Sequence, residues 1–87
     1  MEETRLAMLA IVVENMDCTD QINNLLHEYS QYIIGRMGIP YRQRGIHIIS
    51  IAIDAPQDAI SALSGKIGRL AGVSVKTAFS HVVSAHG

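Results

Sequence analysis

The residues with types suited to chemistry are few: a Gly65-Lys66 pair, four histidines, one cysteine and three arginines around a turn. Glycine followed by lysine ends a phosphate-binding loop, where backbone N–H groups cradle phosphates, the lysine meets their charge and a following hydroxyl holds Mg²⁺. That loop needs another glycine five residues before Gly65 and a Ser or Thr after Lys66, and this chain has Ile60 and Ile67 there. The pair therefore reads as packing. A glycine inside a helix costs about 1 kcal/mol, a loss usually offset where it lets another backbone come close. On this reading Gly65 meets the first helix or a second subunit.

Metal binding requires several ligands converging on one point. His27, His47, His81 and His86 are the only imidazoles and no two stand four residues apart. His47, mounted on a strand, is the candidate ligand, with Cys18 or a neighbouring subunit completing the set; the plain alternative is a partly buried strand histidine. A single cysteine rules out an internal disulfide, a four-thiolate zinc site and a paired-thiol redox motif within one chain. Cys18 falls at the positive end of a helix, which favours a thiolate, but no base stands beside it, so it reads as a small core residue. Arg36, Arg42 and Arg44 gather near a turn, where they face either solvent or an acidic partner. No cofactor is implied, and no base–nucleophile pair or phosphate cradle suggests an enzyme.

The elements that position these groups follow from the apolar spacing. Leu6 to Val13 is short and rich in branched side chains, so it is a strand apolar on both faces. After Asp17, a candidate N-cap, the positions Cys18, Ile22, Leu25, Leu26, Tyr29 and Ile33 trace a helical stripe. Ile33–Ile39 and Ile46–Asp54 form a hairpin about the basic tip Tyr41-Arg42-Gln43-Arg44. Pro56 opens a second helix, with Asp54 as a possible cap, whose stripe is Ile60, Leu63, Ile67 and Leu70. Ser61, Ser64, Gly65 and Gly68 make a flank of small residues beside it. Gly72 stops that helix, Val73–Phe79 is the last strand, and residues 81–87 read as a frayed tail.

The order strand, helix, strand, strand, helix, strand is the ferredoxin-like βαββαβ pattern. The expectation is one α+β domain over residues 1–87, ordered from about 5 to 80, with a four-stranded antiparallel sheet and two helices on one face. If Ala7, Leu9, Ile11 and Val13 face the helices, then Leu6, Met8, Ala10 and Val12 look outward beside Ile48, Ala52 and Ala78. Exposed apolar surface beyond a few hundred Å² marks an interaction site, so these seven residues are the expected interface of a homo-oligomer, a dimer or a tetramer.

Partners of other kinds are disfavoured by composition. A net charge of −1 gives no basic footprint for nucleic acid, and neither central strand carries the stacking aromatics of an RNA-binding sheet. The eight-residue apolar run Leu6–Val13 is too short to span a membrane and lacks a signal peptide's positive flank. With the lone cysteine, this suggests a cytoplasmic chain.

From about Leu6 to Phe79 the chain resembles a small bacterial family described as iron-only hydrogenase system regulators. The resemblance rests on "IVVEN", "INNLLHEYSQYIIGRMGIP" and above all "ALSGKIGRLAGVSVKTAF". It implies a ferredoxin-like domain similar to ACT domains and to the effector domain of the nickel-responsive repressor, tending to form oligomers. ACT domains that bind amino acids place a glycine after the first strand, where this chain has Glu14-Asn15-Met16-Asp17-Cys18. The nickel repressor uses several histidines and a cysteine on its strands, where this chain has His47 alone.

The combined expectation is a non-enzymatic regulatory domain that self-associates and binds a small effector near Glu14, Asn15 and Asp17 and the glycines Gly65, Gly68 and Gly72. The few residues before Leu6 cannot form a DNA-binding ribbon-helix-helix, so any part in transcription or hydrogenase maturation runs through a protein partner. The alternatives are a metal sensor using His47 and Cys18 and, last, a small enzyme of the acylphosphatase kind.

Overall fold

Strand β1 (Glu2–Val13) leads through a 3₁₀ turn into helix α1 (Thr19–Glu28), and a second short turn leads into β2 (Ile33–Tyr41). A 3₁₀ turn over Arg42–Arg44 reverses the chain into β3 (Ile46–Ala55), followed by α2 (Gln57–Gly68) and β4 (Val73–His86). This is a computed structural model; it describes residues 2–86, and side chains from 3 to 81. The strands lie in the order β2-β3-β1-β4 and every neighbouring pair is antiparallel. The expected ferredoxin-like, ACT-like fold is therefore the observed one.

Alternation along β1 and β3 builds the core. Ala7, Leu9, Ile11 and Val13 of β1 and Ile49, Ile51, Ile53 and Ala55 of β3 are buried under Cys18 of the turn before α1, Ile22 and Leu26 of α1, and Ile60, Leu63 and Ile67 of α2. No polar or charged side chain is buried with them among the described residues. Fully burying a Leu or Ile side chain contributes roughly 1.5–3 kcal/mol, and these side chains lie on one side of the sheet only.

Several local expectations need correction. Asp17 does not cap α1. Cys18 stands at the N-cap of α1 without a side-chain bond, and Asn15 caps the turn before it, its Oδ1 accepting from the Asp17 N–H at 3.1 Å, while the Thr19 hydroxyl donates to Met16 O at 2.8 Å. The helix thus enters through a tight 3₁₀ turn over Met16–Cys18, a common way to satisfy the first N–H groups. Asp54 does not cap α2 either, for it is still within β3; Pro56 takes that position without a side-chain bond. Helix α2 ends at Gly68, earlier than expected, and Gly72 holds a left-handed φ of +74° in the turn that feeds β4.

The last strand is longer than expected. β4 continues through His86 where the sequence suggested a tail, and β1 begins at Glu2. Their pairing runs from Val13–Val73 to Glu2–His86, and the register shifts where Arg5 pairs with Val83 but Ala7 with Phe79. Strands of 12 and 14 residues at about 3.3 Å per residue account for a longest dimension of 45 Å. The side chain of His86 lies outside the described residues; that of His81 is exposed.

Candidate interaction site on the open sheet face

The sheet has helices on one face only, so the side chains that alternate with the core look into open space. Across β1 and β3 the directly paired residues Leu6–Asp54, Met8–Ala52, Ala10–Ser50 and Val12–Ile48 make up the middle of this outer face. The hairpin register adds Gly35, Met37, Ile39 and Tyr41 opposite Ala52, Ser50, Ile48 and Ile46, and β4 adds Ser74, Lys76 and Ala78 opposite Val12, Ala10 and Met8. The expected seven residues do share one surface. β2 adds a row absent from the sequence reading: Met37 is 57% exposed and Ile39 47%, beside Met8 at 48%. The alternation through "MGIPY" was the available signal, hidden by its glycines and proline.

Charge is scarce on this face. Among the described residues its charged side chains are Lys76, toward the β4 edge, and Asp54, at the β3 end, whose Oδ1 is covered and has no hydrogen-bond partner there. The surface is also uneven. A depression of about 460 Å³ lies over Leu6, Met8, Ala52, Ala78 and Phe79, and one of about 230 Å³ over Met8, Gly35, Met37 and Ala52. Arg5 stacks 5.8 Å from the centroid of the Phe79 ring beside the first. Both hollows meet at Met8 and Ala52, where small residues leave space and a flexible thioether can adapt its shape.

The expected effector residues are brought only partly together. Glu14 N–H donates to Gly72 O at 2.7 Å, and a Cβ on Gly72 would stand 2.7 Å from Asn15 Cβ, so the β1–α1 loop and the turn before β4 pack directly on each other. The Cys18 thiol donates to Ala71 O at 3.3 Å in the same cluster. Gly68 lies against Val75, its would-be Cβ 3.3 Å from Cγ1, and the Thr77 hydroxyl donates to Ser64 Oγ at 3.2 Å. The small flank of α2 therefore packs on β4. Gly65 does not share in this: a Cβ there meets nothing within 4 Å, so of its two expected neighbours, the first helix or a second subunit, the first helix is excluded.

His47 does point with the core isoleucines, as expected, and is half-buried with its Nε2 3.2 Å from where a Gly38 Cβ would be. It sits at the β2 side of β3, whereas Cys18 is tied to the turn leading into β4. Among the described residues no three His, Cys, Asp or Glu side chains converge to hold a metal ion.

A third hollow, about 410 Å³, runs between the helices on the opposite layer and includes Gln21, Leu25, Glu28, Lys66, Arg69 and Leu70. Lys66 Nζ is 3.8 Å from Glu28 Oε1 and 5.2 Å from the Tyr29 ring centroid. Its pKa is raised, first by its contact with the Tyr29 side chain and then, against slight desolvation, by the Glu28 carboxylate. None of the three hollows is lined by Glu14, Asn15, Asp17, Gly65, Gly68 or Gly72. No helix among the described residues is long and apolar enough to cross a membrane.

Residues 5–77 match the family described as "TM1266-like: Iron-only hydrogenase system regulator, putative". The solved structure of TM1266 from Thermotoga maritima is similar, at 40% identity and a TM-score of 0.84, over 87% of this chain and 96% of that one. The ACT domain from a GTP pyrophosphokinase of Chlorobium tepidum superposes with a TM-score of 0.72 at 24% identity, over 86% of this chain and 99% of that domain. A formyltetrahydrofolate deformylase from Pseudomonas putida shares the fold over 84% of this chain and 28% of its own, with a TM-score of 0.61 and 16% identity. No protein with a curated description matches.

Proposed function

Since the chain belongs to the TM1266-like family of iron-only hydrogenase system regulators, we propose that it is a non-enzymatic, cytoplasmic regulatory domain that works as a homo-oligomer and binds a small effector where subunits meet. The observation that carries this reading is the outer sheet face, where Leu6, Met8, Val12, Met37, Ile39 and Ile48 make a largely apolar surface broken by Ser50 and Ser74, with its described charges, Lys76 and Asp54, toward the margins. Four strands about 4.8 Å apart and a ladder of about eight rises at 3.3 Å give a face of roughly 500 Å² in projection. Its corrugated accessible area is larger, and so comparable with the roughly 800 Å² per partner of a standard protein interface. A second copy of the chain supplies the complementary oily surface.

The effector reading rests on the meeting of the β1–α1 loop with the turn before β4, where exposed Glu14 and Asp17 stand beside Asn15 and Gly72. A ligand there would act by binding one assembly more tightly than another, the one way a ligand shifts an equilibrium. Any effect on transcription or on hydrogenase maturation is proposed to pass through a protein partner.

The experiment is sedimentation of the wild type and of Met8→Glu, which places a charge at the centre of the face without touching the core. The wild type is expected to sediment as a dimer or tetramer at micromolar concentration, and Met8→Glu as a folded 9.5 kDa monomer with unchanged far-UV circular dichroism. A wild type that stays monomeric at high concentration would reject the proposal.

A further inference from the structure

Charges of one sign cluster at two places in the chain, although Lys66 and Arg69 of the α2 end also lie on the β4 side. From Tyr29 to Ile53 the chain carries Arg36, Arg42 and Arg44 and neither Asp nor Glu, whereas Glu14, Asp17 and Asp20 fall within seven residues of one another. Arg36 is engaged, its guanidinium donating to Asn23 Oδ1 at 3.1 Å. Arg42 and Arg44 are exposed on the β2–β3 turn, and Glu14 and Asp17 on the β1–α1 loop; among the described residues no ion pair occupies any of the four.

The register puts both groups at the same end of the sheet. Val13 pairs with His47 and with Val73, and His47 pairs with Pro40, so the turn after Tyr41 and the loop after Val13 are level with each other. In the strand order β2-β3-β1-β4 the turn is centred between β2 and β3, one strand spacing from the midline. The contact of Glu14 with Gly72 joins the ends of β1 and β4, one spacing to the other side.

We propose that two chains pair outer face to outer face about a twofold axis parallel to the strands and midway between β3 and β1, so that each Arg42–Arg44 turn closes over the Glu14–Asp17 loop of the other copy. This rests on the self-association proposed above. A half-turn about that axis keeps the end of the sheet and exchanges its two sides, which carries the basic turn of one copy onto the acidic loop of its mate. Centring on the midline also stacks β1 of each copy over β3 of the other, burying the two most apolar strands. Sheets packed face to face lie about 10 Å apart, a gap that an arginine and a glutamate extended toward each other can bridge.

A twofold axis across the strands would instead carry the turn to the opposite end of β3, where the acidic group is Asp54. Its Oδ1 is already covered by its own chain, so it offers a poorer target. The proposed axis creates two equivalent ion-pair clusters at the rim of the interface. Such pairs fix register and orientation, and they weaken with salt.

The test is charge reversal followed by mixing. One variant carries Arg42→Glu and Arg44→Glu, so that turn and loop are both acidic; the other carries Glu14→Arg and Asp17→Arg, so that both are basic. Each alone is expected to dimerise about 10- to 30-fold more weakly than wild type, since two rim clusters change from attraction to repulsion. Mixed one to one, they are expected to form a heterodimer of near wild-type affinity by native mass spectrometry, because both clusters again hold opposite charges.

Equal affinities for wild type and both variants would sink the clasp while leaving self-association intact. Weakening by the turn variant alone, restored by Asp54→Arg, would assign the crossed axis and overturn this one. A monomeric wild type would remove both readings. Circular dichroism of each variant separates lost pairing from lost folding.

Discussion

Substituting Gly72 by alanine tests a close approach between the β1–α1 loop and the turn before β4. Its φ of +74° is in the left-handed region, and a Cβ there would lie 2.7 Å from Asn15 Cβ and 3.2 Å from Asn15 N. The left-handed conformation costs a non-glycine residue roughly 1–2 kcal/mol. The clash adds to this, because its nearer atoms belong to a loop held by the 2.7 Å bond from Glu14 N–H to Gly72 O and cannot withdraw without lengthening it. Overpacking of this kind costs about 1–3 kcal/mol, which brings the total to roughly 2–5 kcal/mol. Native domains hold only about 5–15 kcal/mol in all. At about 4–8 °C per kcal/mol for a domain of this size, the midpoint should fall by at least about 8 °C.

The assay is urea and thermal unfolding by far-UV circular dichroism at one fixed protein concentration, so that association contributes equally throughout. Gly65→Ala is the comparison, because its Cβ meets nothing within 4 Å and alanine is better than glycine by up to about 1 kcal/mol inside a helix. Gly72→Ala should destabilise and Gly65→Ala should stabilise. A Gly72→Ala protein within about 0.5 kcal/mol of wild type, the range of a neutral surface change, would refute the close-contact argument. Loss of stability in Gly65→Ala that grows with protein concentration would place that glycine against a second copy.

Two further outcomes follow from single groups. Cys18 is buried and hydrogen-bonded to Ala71 O, so alkylation by a soluble maleimide should be slow in the folded protein and rapid in urea; equal rates would deny the packing. Lys66 has a folded pKa above the usual 10.5, so what it contributes is fully present below that value and is lost as pH rises through the raised one. Wild type and Tyr29→Phe should therefore differ by a constant small amount from neutral to mildly alkaline pH and converge in strong alkali. A difference that vanishes on acidification instead would show that another group is responsible.

How legible each feature was depended on the range of the physics behind it. β1, β3 and both helices were readable because their branched and aliphatic residues repeat at periods of two and about 3.6, and burial of that pattern is a strong local constraint. The outward direction of Met8, Ala10, Val12, Ile48 and Ala52 followed from the same period. Capping was less legible: Asn15 and Asp17 are both good caps, and a 3₁₀ turn decided between them. The small flank of α2 was noticed but assigned the wrong neighbour. Sequence shows that Ser64, Gly65 and Gly68 lack volume, whereas it takes the crossing of α2 over β4 to show that Ser64 and Gly68 use the space and Gly65 does not. The extension of β4 to His86 was hidden because residues 80–86, with two histidines and two serines, lack strict alternation; the partner strand supplies the order.

The core and the outer face are two results of one pattern. A strand such as β1, apolar at every position from Leu6 to Val13, cannot bury both sets of side chains beneath a single layer of helices. In a larger α/β protein helices on both faces would solve this, but the two helices here lie on one side and, among the described residues, no third element crosses the other. Solvating that second face would forgo burial that a chain of this length needs, because a small domain removes only about 60–65% of its unfolded surface from water. Covering it with a copy of the same surface restores the missing layer without lengthening the chain. Under the proposed self-association regulation has a physical handle, since a ligand or partner that favours one arrangement of copies also changes how much of each sheet is dry.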